Sequence, residues 1–420
     1  MTVSTTLNSP IKNALDAVTH VNPYPWYENL RKNAPVYFDP ALKLWIASSS
    51  AAVAAIFENA NCGVRPASEP VPAAIAGTPA GEVFSHLIRM NEGVRHDAPK
   101  LAIERALGAV DAQKLQQRTI FHTKAHSSID AIGMSNMPQF SAVLNDAIFR
   151  LPLYVLAELM GFSQDELPKV VDWMRDFVSC LSPLSTLAEL SNASEAATQL
   201  LMRFDALLAS VQFSDYDSNH TTLVGQVQAQ YKFFNFSDRK ALLSNLVGLL
   251  SQTFEATAAL IANSITTLIA HPELMTDLQA NTKKFSKTIN MLVEEVCRYD
   301  APIQNTRRYV FKDTEIFGVN LKTGDVVLIL LGSANRDAAL NEHPDEFVIQ
   351  RESRNYFSFG RGNHTCPGRR IALTIASSIL CSWLSLGLST TLQNNLNRLT
   401  WTYRLSVNAR IPHFSATKTN

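Results

Sequence analysis

Apolar residues recur at helical spacing through most of 101–270, punctuated at Pro152, Gly161 and Pro168, with a polar break at 213–220. This pattern predicts a largely helical body. Ahead of it, Asn22-Pro23-Tyr24-Pro25-Trp26-Tyr27 reads as a turn feeding a short amphipathic helix. Strand-like stretches follow at 36–37 and 44–47, then a helix over 50–60. Gly63-Val64-Arg65-Pro66 opens a loop rich in Pro, Ala and Gly. After Pro302 the period shortens to that of strands at 306–309, 314–316 and 326–330, with Gly318 and Gly324 as turn residues. A last helix is predicted from Pro367 to about Leu386, stopping at Gly387, with strand-like sequence beyond. The longest element starts at Ser237-Asp238 and continues to Ala270 before His271-Pro272. At 1.5 Å per residue it spans ~50 Å, enough to cross the molecule.

Length and charge narrow the picture. Domains commonly hold ~100–150 residues, but no linker, repeat or charge run divides these 420. The expectation is one domain over 1–420, with a helical body at about 95–300 and a β-rich portion drawn from about 20–60 and 302–420. Lys+Arg and Asp+Glu both number 37. That balance argues against a broad electrostatic partner such as nucleic acid or an anionic membrane. The N-terminus lacks the basic and apolar regions of a signal peptide, and apolar runs break short of the ~20 residues of a span. The expected location is the cytoplasm, without a membrane anchor. The five cysteines, Cys62, Cys180, Cys297, Cys366 and Cys381, show neither disulfide nor zinc spacing, as suits a reducing compartment.

One cysteine has a context that suggests chemistry. In Phe359-Gly360-Arg361-Gly362-Asn363-His364-Thr365-Cys366-Pro367-Gly368, Cys366 is read as opening a helix with Pro367 in its first turn. Free first-turn N–H groups and the helix dipole favour a thiolate there, so a low thiol pKa is expected. Gly360 and Gly362 allow close backbone approach to a flat ligand. Phe359 offers an apolar face and His364 a donor for an acid group.

This stretch resembles the signature of the cytochrome P450 superfamily, Phe-x-x-Gly-x-(Arg/His)-x-Cys-x-Gly, matched by Phe359, Gly362, His364, Cys366 and Gly368. The resemblance implies a mainly α triangular prism with small β-sheets, and haem b between the long central helix and the cysteine loop. Cys366 would be the axial thiolate, which in that family pushes electron density towards O–O cleavage. Glu295-Val296-Cys297-Arg298 is similar to the family's structural Glu-x-x-Arg pair. Asn335-Arg336-Asp337 and Pro344-Asp345-Glu346-Phe347 resemble the stretch between the two motifs, with Arg351 available to the same ion network.

The resemblance also implies which groups hold the haem propionates: His96 and Lys100, where the bacterial pattern has His-x-x-x-Arg, then Arg308 (Arg307 competing) and His364. On the central helix the family has Ala-Gly-x-(Asp/Glu)-Thr. Here Gln252-Thr253 replaces Ala-Gly, Glu255 matches the acid, and Ala256 takes the alcohol's place. Thr257 is rotated ~100° from position 256. Thr253, a water or a substrate hydroxyl can relay protons in the alcohol's stead, or the chemistry can be peroxide-driven or other than oxygenation. Glu255, Thr253 and Thr257 are the candidate catalytic residues.

The function implied is haem-thiolate monooxygenation of a small or medium-sized organic molecule, in secondary metabolism, free or carrier-protein-bound. Electrons would come from a ferredoxin or flavodoxin with its reductase, docking near Arg361, Arg369 and Arg370. A non-catalytic haem sensor is the other class, opposed by the retained Glu255. Substrate contacts are expected from 66–88, 175–215, 249–253, 303–306 and 406–409.

Overall fold

The Asp238 carboxylate accepts from the Ala241 N–H at 2.9 Å and caps a helix over Arg239–Ala270. The helix is the axis of the molecule. It packs against the helices Pro79–His86, Met137–Met160, Leu187–Ser210, Phe285–Tyr299 and Arg369–Ser385. The structure, a computed structural model, describes residues 10–66, 68–126, 136–182, 185–211, 222–280, 284–385 and 395–417. The polar break at 213–220 and the predicted helix end at Leu386 and Gly387 lie outside the described residues.

Met137–Met160 and Arg239–Ala270 are each long and apolar enough to cross a membrane, yet 72% of the relevant window of each is buried in the protein. Here they serve as core helices. Met137–Met160 also continues through Pro152, where the sequence pattern predicts punctuation. Pro152 and the flanking Leu151 and Leu153 are all buried. Apolar packing therefore outweighs one missing backbone hydrogen bond. Gly161 does end this helix, at φ 105°.

The main sheet takes strands from both the N-terminal and the C-terminal parts of the chain. Strands β1 (Val36–Asp39), β2 (Leu44–Ala47), β3 (Cys62–Gly63), β4 (Asn305–Val310) and β7 (Val326–Leu330) form one sheet in the order β1-β2-β7-β4-β3. β2 lies parallel to β7 with Ile46 beside Leu328, and β4 runs antiparallel to β7. β5 (Thr314–Ile316) pairs with β6 (Val319–Leu321), and β8 (Leu399–Tyr403) with β9 (Pro412–Ala416). β3 went unread because two residues carry no alternation; it exists through pairing with β4, Cys62 against Val310. The fold is mainly α with small sheets, as expected.

Candidate active site

The cysteine loop is built by its own backbone. Gly360 N–H donates to Phe357 O at 2.8 Å, and Cys366 N–H returns to Phe359 O at 2.8 Å. Gly360 (φ 71°) and Gly362 (φ 68°) both take left-handed backbone, and a Cβ on Gly360 would stand 3.0 Å from the His364 carbonyl oxygen. The following helix begins at Arg369, not at Pro367. Residues 367 and 368 instead complete the turn, which lets the Gly368 and Arg369 N–H groups reach the Cys366 sulfur. The expected low thiol pKa is not found: burial pushes the Cys366 thiol up, ahead of the opposing pull of those amides and of Lys100.

Behind the loop lies a buried ion network. Glu295 Oε1 accepts from Arg298 at 2.7 Å and Arg351 at 3.3 Å, and Oε2 accepts from Arg354 at 2.8 Å. The Val348 N–H adds a bond at 3.2 Å, and the side chains of Glu295 and Arg298 are 0% exposed. These donors hold the Glu295 carboxyl below its usual pKa despite burial. Arg298 also donates to the Pro344 and Glu346 carbonyls. Arg351 joins the network as read from sequence; Arg354 is a partner that reading missed, because nothing local marks a charge 59 residues from its partner.

The four groups expected to hold haem carboxylates gather beside the loop. His96 and His364 lie ring to ring at 4.2 Å. Lys100, 8% exposed, donates to the Asn363 carbonyl. Arg308 is buried on β4 while Arg307 is only partly so, and its guanidinium sits 4.9 Å from the Phe57 ring. At their centre is a residue absent from the sequence reading: Glu92 accepts from His364 Nε2 at 3.0 Å and from Val64 N–H at 3.0 Å, within electrostatic reach of Arg308 and His96. The cluster thus already accommodates one carboxylate among its cations. A partly buried cysteine faced by amides, with two His, one Lys and one Arg nearby, fits a thiolate-ligated haem bearing two propionates.

On the central helix most side chains from Ala241 to Leu268 are buried, but Leu249, Gln252, Thr253 and Ala256 are not. Their i, i+3, i+4, i+7 spacing puts them on one face, which therefore borders open space. Glu255, at the edge of that face, is partly exposed; Thr257 is 2% exposed and turned away from it. The Thr253 hydroxyl donates to the Leu249 carbonyl at 2.8 Å. Burial raises the Glu255 pKa, opposed by Arg404 and Arg89.

Of the segments expected around a substrate, 303–306 and 406–409 meet. Ile303 bridges Ala409, Gln304 N–H donates to Asn408 O at 2.8 Å, and Asn305 Nδ2 donates to Val407 O at 2.9 Å. Segment 66–88 faces the helix Leu187–Ser210 across a cleft of about 560 Å³ lined by Val71, Thr78, Ser85, Thr198, Leu201 and Met202. Residues 67, 183–184 and 212–215 of these segments lie outside the described residues. Behind the cysteine loop a second cleft of about 810 Å³ is lined by Gln113, Gln116, Asn290, Arg369, Arg370 and Ser377. Two of the three arginines expected to await a partner there are in ion pairs: Arg361 with Glu58 at 2.6 Å and Arg369 with Glu294 at 3.6 Å. Arg370 donates to the carbonyls of Leu107 and Val110.

The profile of the family described as Cytochrome P450 matches residues 155–386. The biotin biosynthesis cytochrome P450 of Bacillus subtilis (strain 168) is 26% identical over 392 residues, 91% of this chain and 92% of its own. Among solved structures, P450BioI in complex with acyl carrier protein ligated to hexadec-9Z-enoic acid superposes at TM-score 0.75. It is 24% identical, over 94% of this chain and 97% of that one. CYP109E1 from Bacillus megaterium with testosterone superposes at TM-score 0.72 and 21% identity, over 97% of this chain and 100% of that one.

Proposed function

The chain belongs to the cytochrome P450 family, and from that premise we propose that Cys366 ligates the haem iron and Glu255 delivers protons during oxygenation. The chain is a haem-thiolate monooxygenase acting on small organic molecules. When bound, thiolate-ligated haem supplies the centre at which one atom of dioxygen enters the substrate. The observation that carries the residue assignment is the Cys366 sulfur, partly buried and faced by the Gly368 and Arg369 N–H groups.

Each remaining role follows from position. His96, Lys100, Arg308 and His364 hold the haem carboxylates in the cluster around Glu92, with Phe359 and Gly360 shaping the loop beneath. Burial keeps part of the Glu255 population protonated nearer neutrality than an exposed carboxyl, the state a proton donor needs. Ala256 on the open face has no hydroxyl to pass that proton on. Thr253 has one, already donated along its own helix, so a water or a substrate hydroxyl is the relay this reading favours. Thr257, turned away, would act only through a water.

Electrons would come from a ferredoxin or flavodoxin with its reductase, meeting the cleft behind the cysteine loop. Arg369 and Arg370 keep exposed surface there, although both have partners within the chain. We take the substrate to be a secondary-metabolism intermediate; the P450BioI neighbour, solved with an acyl carrier protein, supports keeping a carrier-bound form in view. We read 1–420 as one domain, since Arg410 near the C-terminus donates to the carbonyls of Val18, His20 and Val21. The deciding experiment is the spectrum of the reduced carbonyl complex. A thiolate-type band in the wild-type protein and its loss in Cys366→Ala is the expected result; a band that survives the substitution overturns the ligand assignment.

A further inference from the structure

Arg89 lies in the short turn Ile88–Met90, deep in the molecule, and its Nε is buried without a hydrogen-bond partner. Leaving a buried guanidinium nitrogen unpaired costs more than leaving a neutral one, so its persistence calls for a reason. The turn itself is firmly held. Asn245 of the central helix accepts from Ile88 N–H at 2.8 Å and donates to His86 O at 3.0 Å. Asn91 Nδ2 ties back to Leu87 O at 2.8 Å and Ser85 O at 3.0 Å. One turn along the helix is Gly248, where a Cβ would stand 2.7 Å from Leu87 Cδ2. The missing side chain lets the turn lie flat on the helix.

Asn245, Gly248 and Gln252 follow one another at i, i+3 and i+7, so the turn is docked on the same side of the helix as the open face. Arg89 as a whole keeps partial exposure although its Nε is buried. The groups within its electrostatic reach are Glu255 and the Cys180 thiol. Burial pushes that thiol up to about 11, so it brings no charge near neutral pH. Glu255 makes no ion pair with Arg89 among the described residues, and it also faces Arg404, whose guanidinium rests 4.7 Å from the Phe149 ring. Two guanidinium groups therefore oppose a single carboxyl, which leaves an excess of positive charge on the substrate side.

We infer that Arg89 is the specificity-determining residue for a carboxylate on the substrate, so that this enzyme oxidises organic acids. The inference rests on the haem-thiolate reading and deepens it. A planar guanidinium suits a carboxylate because two N–H donors meet two oxygens. Arg404 adds attraction from farther off, and Glu255 remains free for proton delivery.

The test uses the ferric holoenzyme and ω-(imidazol-1-yl)alkanoic acids of graded chain length, each paired with its methyl ester. Imidazole anchors every probe on the iron, so binding is read from the Soret shift whatever the natural substrate is. At the chain length that spans from iron to Arg89, the acid should bind about 10- to 100-fold more tightly than its ester. Arg89→Gln should level the two, and Arg89→Lys should restore part of the preference. An acid-to-ester ratio near one at every length, or one unchanged in Arg89→Gln, overturns the inference while a thiolate-type carbonyl spectrum leaves the family reading standing. Absence of that spectrum in the wild-type protein would instead remove the haem-thiolate reading and this inference with it.

Discussion

The two sides of this molecule treat buried charge differently. Behind the cysteine loop, Glu295 collects three guanidinium groups and a backbone N–H, and Arg298 spends its remaining donors on the Pro344 and Glu346 carbonyls. Across the central helix, Arg89 has an unpaired buried Nε, and Glu255 faces two arginines without bonding to either among the described residues. The first arrangement suits a scaffold that holds one geometry through every turnover. The second suits a surface whose partner arrives with the substrate. At these two places the paired Glu295 belongs to the side that holds the loop, and the unpaired Arg89 Nε to the side proposed to receive substrate.

The sharpest way to break this contrast is at the sulfur. Cys366→Ala should abolish the thiolate-type carbonyl spectrum, and its survival would relocate the ligand. Next in size, Glu295→Ala leaves the buried Arg298 and its neighbour Arg351 without their anion, while Arg354 keeps Glu294 at 3.3 Å. It should destabilise the fold by about 3–5 kcal/mol, read by denaturant unfolding of the holoenzyme. A loss under 1 kcal/mol would mean the network is ornamental. On the other side of the helix, Glu255→Gln should leave folding intact but lower oxygen-driven turnover about 10²-fold; unchanged turnover would remove Glu255 from the proton path. Ala256→Thr should act more mildly, improving the coupling of electrons to product if a relay hydroxyl is what the face lacks. Worse coupling would show that the space belongs to water or substrate.

A pair remote from both regions gives the smallest effect and a pH sign. Arg203 and the Ser163 donors hold the Glu166 carboxyl down at about 2, from an ordinary 4.5. A depressed carboxyl contributes stability above its unfolded pKa, and that contribution disappears as pH falls from about 4.5 to about 2. Thermal midpoints of wild type and Glu166→Gln should therefore differ at neutral pH and converge over that acidic interval. A constant gap would show that the ion pair contributes nothing through protonation.

Local signals were legible where chemistry and geometry share a few residues. Asp238 announced its helix because a cap needs only the N–H three residues on. β5 and β7 match their predicted spans because short strand-like runs set off by the turn glycines Gly318 and Gly324 are a short-range pattern. The cysteine loop could be read residue by residue, and Glu295 with Arg298 lie one helical turn apart. Pro152 misled because its cost is local while the packing that overrides it is not. The Cys366 thiol misled in the same way: its amides were foreseeable, its burial was not.

The amino-acid sequence by itself determined the family, the helix-rich body, the cysteine at its centre and the departure at Ala256, since each is written in contiguous or periodically spaced residues. Only the tertiary structure decided that Glu92 sits between His364 and Arg308, that Arg354 completes the network of Glu295, and that Arg89 faces Glu255 unpaired. Those relations join residues dozens to hundreds of positions apart. A buried charge has no signature in its neighbours along the chain; its meaning comes from what packing brings beside it, or leaves out.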